Sequence, residues 1–158
     1  MHGLKYAEPN QDLIELIKNQ YKCKFVPNLI ARGKPRMVSA DQWWKKNLSS
    51  PIKKRRDRAE FLADWYRYVD AVKVCFANVP ITSEMIVEAR FPVGPNETLK
   101  EMQNRHLKYH QMKPDSDNIL KGIMDALVKQ DQKIGLELCW KVWVNTFEAD
   151  PGIAIYYK

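Results

Sequence analysis

The chain has 158 residues, 45% hydrophobic and 28% charged, so it is long enough to bury a core as one soluble globular domain. No apolar run approaches the ~20 residues of a membrane span, and the N-terminal stretch lacks the pattern of a secretory signal. The formal net charge of +7 favours a polyanionic partner, although charge alone does not identify a nucleic-acid-binding protein.

The first third of the chain predicts one helix and a basic, irregular region. Leu13, Ile14 and Ile17 lie on one stripe of a helix over 9–21, with Asn10 or Asp12 as its N-cap. We interpret 1–24 as an accessory helical segment ahead of a main domain, 25–158. The following residues favour a strand, and SSPIKKRRDR, 49–58, predicts a polar loop.

The remainder alternates helices and strands. A helix over 58–77 buries Phe61, Trp65, Val69, Val72 and Phe76, and 84–93 alternates as a half-buried strand. A short helix is predicted from Glu97, a longer one over 117–129, and strands over 138–147 and 153–157. This order predicts a mixed α/β (α+β) fold, a small mixed sheet packed by helices.

The segment before the helix at 117–129 carries two acids, Asp115 and Asp117. In an extended chain, residues two apart point to the same face. Asp117 or Asn118 then caps the helix, and Lys121 lies one turn on, on the same face as Asp117. A third acid, Asp131, follows the helix, where a return strand brings it back towards the pair.

Clustered carboxylates repel one another unless a divalent cation neutralises them, and oxygen ligands suit Mg²⁺ or Mn²⁺. In phosphodiester hydrolysis, such an ion polarises the phosphoryl oxygen and lowers the pKa of its bound water. A nearby lysine stabilises the developing charge. The same spacing is also typical of a helix cap with no catalytic role. Judged by the spacing alone, the structural cap is favoured over the metal site.

At these residues the chain resembles the RusA family of Holliday junction resolvases, found mostly in phages and prophages. The resemblance rests on KPDSDNILKGIMDAL (113–127) and QDQKI (130–134), with GKPRMVSADQWWKK (33–46) and WYRYVD (65–70) upstream. It implies a RusA-like homodimer and a metal-dependent endodeoxyribonuclease that resolves Holliday junctions in DNA recombination and repair.

The resemblance also implies roles for individual residues. It assigns Asp115, Asp117 and Asp131 to Mg²⁺ or Mn²⁺, and the essential lysine to Lys121. Asp125 matches a recurrent acid that either leans towards the site or caps or pairs within the fold, and we interpret it as a residue that supports the metal ligands. His110 matches a recurrent histidine, with the same interpretation. Because the connection to Asp131 is short and Gln130 replaces a common acid, Glu137 is the alternative third ligand.

Basic residues around the central region are candidate DNA contacts: Arg32, Lys34, Arg36, Lys53, Lys54, Arg55, Arg56 and Arg58. Each alone is typical of solvated surface charge, but as a set they predict phosphate contacts without sequence readout. Trp43 and Trp44 either stack on an opened base or pack in the core or dimer interface, and packing is favoured.

Two other functions stay open at this point. One is a non-catalytic branched-DNA-binding protein of phage replication or recombination, and the other is a nuclease that prefers flaps or single strands. Cys23, Cys75 and Cys139 form no CxxC pair, so they predict free thiols in a cytoplasmic protein.

Overall fold

The computed structural model describes residues 6–129 and 133–158, so Gln130, Asp131 and Gln132 lie outside the described residues. A 3₁₀ turn, Ser39–Trp43, precedes the second helix. The helices and strands are α1 (Gln11–Gln20), β1 (Lys22–Pro27), α2 (Trp44–Asn47), α3 (Lys53–Cys75), β2 (Glu84–Pro92), α4 (Leu99–Arg105), α5 (Ser116–Leu127), β3 (Leu136–Val144) and β4 (Gly152–Tyr157).

The strands form one mixed sheet in the order β1-β4-β2-β3. Strands β2 and β3 are parallel, because α4 and α5 carry the chain back between them. The β1–β4 and β2–β4 pairs are antiparallel. The predicted α+β fold, a small mixed sheet packed by helices, is confirmed.

Alternating residues of the sheet supply two separate cores. On one face, Met85 and Val87 of β2 belong to the core that includes α3 and α5. On the other face, Ile86 joins Ile14 and Ile17 of α1. The sheet therefore lies between α1 and the α3–α5 layer, and the helix that carries the candidate acids is on the α3–α5 side.

Two predicted core residues lie at the edge of their helical stripes. Leu13 is exposed, because Ile14 and Ile17 make the contact with the sheet. Phe61 is also exposed, and the Arg58 guanidinium lies over its ring at 5.4 Å. The helical periodicity was correct, but the buried stripe is narrower than predicted at these positions.

The basic segment 49–58 is not the predicted loop. Helix α3 begins at Lys53 rather than Arg58, so only the residues before Ile52 remain as a connection. Pro51 lies next to the helix start, and the lysines and arginines that follow are good helix formers. The cations of 53–58 are therefore held on a rigid helix.

The region predicted to favour strand is a strand only as far as Pro27. Pro27, Gly33 and Pro35 are poorly suited to a continuous strand, and residues 28–38 are irregular.

Among the described residues, no helix has the length and apolar character of a membrane span. The division into 1–24 and 25–158 stays a prediction.

Helices α3 and α5 meet where Gly122 faces Trp65. A Cβ placed on Gly122 would lie 2.6 Å from Cη2 of Trp65. Trp65 is buried in the core, so its ring has little room to move aside. Gly122 is therefore required by the close approach of the two helices.

Gly122→Ala is expected to lower the free energy of unfolding by about 1 kcal/mol. Overpacking costs ~1–3 kcal/mol, which outweighs the ~1 kcal/mol that alanine gains over glycine within a helix. Urea denaturation followed by tryptophan fluorescence measures the difference.

The matched control for this substitution is Gly94→Ala, because a Cβ on Gly94 meets no atom within 4 Å. Its unfolding free energy is expected to stay near that of the unmodified chain. If Gly122→Ala is at least as stable as Gly94→Ala, the described packing of α3 on α5 is wrong.

Candidate active site

The acids Asp115 and Asp117 lie together at the start of α5. Asp115 occupies the N-cap position with φ −69° and ψ 146°, and within the described residues its side chain makes no capping hydrogen bond. Asp117 is in the first helical turn. Both are exposed, and the positive end of the helix dipole stabilises their charge. The pair is therefore open to an approaching ligand.

One detail of the predicted geometry is wrong. The helix begins at Ser116, so the chain is not extended through both acids. Asp115, rather than Asp117 or Asn118, therefore stands at the cap position. The two carboxylates share the helix end because of the first-turn geometry and not because of strand alternation.

Lys121 lies one turn after Asp117, on the same helix face as predicted. Its Nζ is 3.4 Å from Oδ2 of Asp117, and the two side chains are 63% and 68% exposed. An ion pair this exposed contributes little to stability. Lys121 is therefore able to exchange its carboxylate partner for a phosphate oxygen.

Strand β3 contributes Lys141, which the sequence analysis did not single out. Its Nζ donates hydrogen bonds to the carbonyl oxygens of Met112 and, at 2.8 Å, of Pro114, just before Asp115. Burial lowers the pKa of Lys141, and the charge of Asp115 opposes that effect. Lys141 therefore anchors the turn that presents Asp115. The available signal was a lysine within the apolar run LCWKVWV.

Two groups near this turn have pKa values that burial shifts strongly. His110 lies between the rings of Phe91 and Trp143, at centroid distances of 4.3 and 4.1 Å, and burial lowers its pKa to about 4. Its backbone N–H donates to the carbonyl of Lys141 at 2.9 Å. Burial raises the pKa of the Cys139 thiol to about 12. His110 therefore packs between two aromatic rings, and its functional role stays a prediction.

Residues 33 and 34 cross the start of α5. A Cβ on Gly33 would lie 2.9 Å from Cβ of Pro114, and the backbone N–H of Lys34 donates to the carbonyl of Asn118 at 3.0 Å. The Lys34 ammonium pairs with Asp125 at 2.5 Å. Asp125 therefore has a partner within the fold, and a phosphate contact by Lys34 would compete with it.

The donor chemistry of the acid pair suits a hard divalent ion such as Mg²⁺ or Mn²⁺, since both side chains offer exposed oxygens. Among residues 6–129 and 133–158, no group of three His, Cys, Asp or Glu side chains is arranged to hold a metal. Glu137 therefore does not complete the pair in this conformation. Asp131, the predicted third ligand, lies outside the described residues.

The positive charge of the chain is concentrated in residues 34–58. This stretch holds nine lysines and arginines against two aspartates, so it accounts for the whole net charge of +7. Lys53, Lys54, Arg55 and Arg56 occupy the first turn of α3, which contains no acid. Cations at a helix N-terminus oppose the helix dipole. Their placement is unfavourable for the helix and favourable for an anionic partner.

A partly buried ion pair, Arg58–Asp41, joins the two ends of this basic stretch, which we call the basic surface. Arg58 donates to both carboxylate oxygens of Asp41, at 3.0 and 2.7 Å, and to the carbonyl of Arg36 at 2.8 Å. Asp41, only 8% exposed, also accepts from the N–H of Val38. Arg58, one of the predicted DNA contacts, is therefore held by partners within the fold. This pairing was also missed by the sequence analysis.

Arg32, the first of the predicted DNA contacts, is half-buried. It lies near the hydroxyl of Tyr68, whose pKa is raised to about 12 by burial, with Arg32 opposing the shift. Arg36, Lys53, Lys54 and Arg55 are exposed. The exposed members are the ones best placed to meet a phosphate backbone.

Comparison with known proteins identified one family. A family model described as Endodeoxyribonuclease RusA matches residues 62–146, more than half of the chain. The matched range includes most of α3, the acid pair with Lys121, and β3. No match was found among curated proteins or solved structures.

The Asp41–Arg58 pair predicts a specific pH dependence. The Arg58 guanidinium, helped by the Val38 N–H, holds the pKa of Asp41 below its usual value. The stabilisation is therefore complete above the unfolded pKa of ~3.9 and is lost as pH falls through the lower folded pKa. Arg58→Gln is expected to lower the unfolding free energy at pH 7, with a deficit that narrows below about pH 4.

Urea denaturation at a series of pH values measures this deficit. Lys53→Gln is the control, because the Lys53–Asp57 pair is exposed and contributes little. A deficit for Arg58→Gln that stays constant down to pH 3, or one no larger than that of Lys53→Gln, contradicts the interpretation.

Proposed function

The chain belongs to the RusA endodeoxyribonuclease family, and on that premise we propose that it is a divalent-metal-dependent nuclease that resolves four-way DNA junctions. The observation that carries the proposal is the exposed pair Asp115 and Asp117 with Lys121 one turn away, inside the matched range. The proposed metal is Mg²⁺ or Mn²⁺, and the proposed substrate is branched DNA.

In this proposal Asp115, Asp117 and Asp131 hold the metal. When bound, the ion supplies Lewis-acid chemistry, polarising the scissile phosphate and lowering the pKa of a coordinated water. Lys121 releases Asp117 and donates to a phosphate oxygen, where it stabilises the negative charge that develops. Lys141 keeps Asp115 in place through its two carbonyl contacts.

The basic surface supplies affinity without sequence readout. Phosphate contacts from exposed lysines and arginines hold the DNA, while the acid pair would repel it until a cation is bound. Paired cuts across a four-way junction require two active sites related by a two-fold axis, so we propose a homodimer. The cytoplasmic location suggested by the free cysteines stays a prediction.

Asp115→Asn is expected to abolish cleavage and to preserve or strengthen junction binding, because it removes a metal ligand and a negative charge together. The assay incubates a labelled synthetic four-way junction with Mg²⁺ or Mn²⁺ and maps the nicks, and binding is measured without divalent ions. Symmetric nicks by the unmodified protein support the proposal. Cleavage of flaps instead, or tight binding without cutting, would support the other two functions.

The control for Asp115→Asn is Asp150→Asn, an exposed acid in the turn before β4. Asp131→Asn and Glu137→Gln then identify the third ligand, since only the true ligand should abolish cleavage. Normal cleavage by Asp115→Asn would remove the proposed site altogether.

A double substitution, Lys54→Gln with Arg55→Gln, is expected to weaken binding to all DNA structures. Each lost phosphate contact should flatten the log–log dependence of affinity on salt by ~0.9. Because both cations oppose the dipole of α3, the variant should be at least as stable as the unmodified chain. Fluorescence anisotropy across a salt series gives the slope.

Lys73→Gln is the control for the double substitution, because it removes an exposed cation from the opposite end of α3. Its salt slope should match that of the unmodified protein. An unchanged slope for the double variant would show that the start of α3 does not contact DNA.

A further inference from the structure

The adjacent residues Trp43 and Trp44 have different surroundings. The ring of Trp44 stacks on Tyr66, with centroids 5.3 Å apart and planes 21° apart. Trp43 is 58% exposed. In the part of the chain that the structure describes, its ring has no aromatic partner. Packing within the chain therefore accounts for Trp44 and leaves the exposed ring of Trp43 unexplained.

The backbone on both sides of Trp43 is held in place by contacts with α3. It ends the 3₁₀ turn Ser39–Trp43, and Asp41 within that turn is held by Arg58 of α3. Trp44, the next residue, is held by its stack on Tyr66. An aromatic ring supported in this way loses little conformational entropy when a ligand stacks on it.

The surroundings of Trp43 are basic. A surface cavity of about 370 Å³ beside it is lined by Ala40, Lys46, Asn47 and Arg55, with no acid among them. An adjoining groove of about 560 Å³ adds Arg36 and Lys54, and its lining acid, Asp41, is neutralised by Arg58. An aromatic face flanked by cations matches a nucleobase with its phosphates.

A second copy of the chain fits this surface less well. In a two-fold contact the same patch meets itself, so the cations of one copy would face those of the other. Like charges brought together in this way are unfavourable. The charge therefore favours a polyanion as the occupant.

The kind of DNA follows from the geometry of stacking. In an intact duplex, neighbouring bases cover both faces of each base, whereas a branch point offers a base with an open face. The surface also lies within reach of the acid pair. Gly33 lies so near Pro114 that a Cβ on Gly33 would be 2.9 Å from Cβ of Pro114, and the ten residue steps from Gly33 to Trp43 span at most ~35 Å. One branched DNA molecule can therefore contact Trp43 and the acid pair at the same time.

We propose that Trp43 stacks on the open face of a base at a DNA branch point while Lys46 and Arg55 contact the phosphates beside it. The inference rests on the proposed function only in taking DNA as the ligand. It adds the residue that distinguishes a branch from continuous duplex.

Trp43→Ala tests the proposal by equilibrium binding without divalent ions. Loss of one stacked base should weaken binding to a four-way junction by about 5- to 150-fold. Binding to a covalently closed circular duplex and the salt slope on the junction should stay unchanged. A junction with 2-aminopurine at the branch should lose fluorescence on binding the unmodified protein and not on binding Trp43→Ala.

Two further variants control the experiment. Trp43→Phe keeps a stacking face and should recover most of the junction affinity. Phe147→Ala removes another exposed aromatic and should leave both affinities unchanged. Thermal unfolding of each variant checks that the fold is intact.

Three outcomes would overturn the proposal: equal loss on junction and duplex, no loss on either, or a change of oligomeric state in Trp43→Ala by sedimentation. The last would identify a second copy as the occupant. Because binding is measured without metal, an inactive nuclease that still shows the Trp43 effect would overturn the catalytic proposal alone.

Discussion

The candidate site depends on the contact between Lys141 of β3 and the turn before α5. Its ammonium binds the carbonyls of Met112 and Pro114, while its own carbonyl accepts the N–H of His110. Charge-assisted hydrogen bonds of this kind are stronger than neutral ones, and partial burial shields them from water. The sheet therefore sets the position of Asp115, because Lys141 of β3 fixes the turn that precedes the exposed acids.

The distribution of charge shows a compromise between stability and binding. Four cations crowd the first turn of α3, where the helix dipole disfavours them, and no acid in that turn compensates. The acids at the start of α5 lie where the helix dipole favours them, and Lys121 pairs only weakly with Asp117. Proteins tend to depart from such rules of local stability at their functional sites. This contrast supports a polyanionic ligand at the start of α3 and a cation at the start of α5.

Prediction succeeded where the chain obeys a simple period. The apolar spacing of α5 and the alternation of β2 located both elements closely, because helices and strands repeat every 3.6 and 2 residues. It failed where a local signal was ambiguous. The basic run at 53–58 suggested a solvated loop, yet lysine and arginine are also good helix formers, and Ala59 and Leu62 bury the face beneath them.

The sequence by itself determined which chemical groups are available and how they are spaced. It places two carboxylates and a lysine at the start of one helix, and it concentrates the net positive charge in residues 34–58. Those features depend on neighbours within a few residues. The tertiary structure decided that Lys141 reaches Pro114, that Arg58 reaches Asp41, and that Trp43 and not Trp44 faces solvent. Such pairings depend on strand order and helix packing, which bring together residues far apart in the chain and leave little trace in local periodicity.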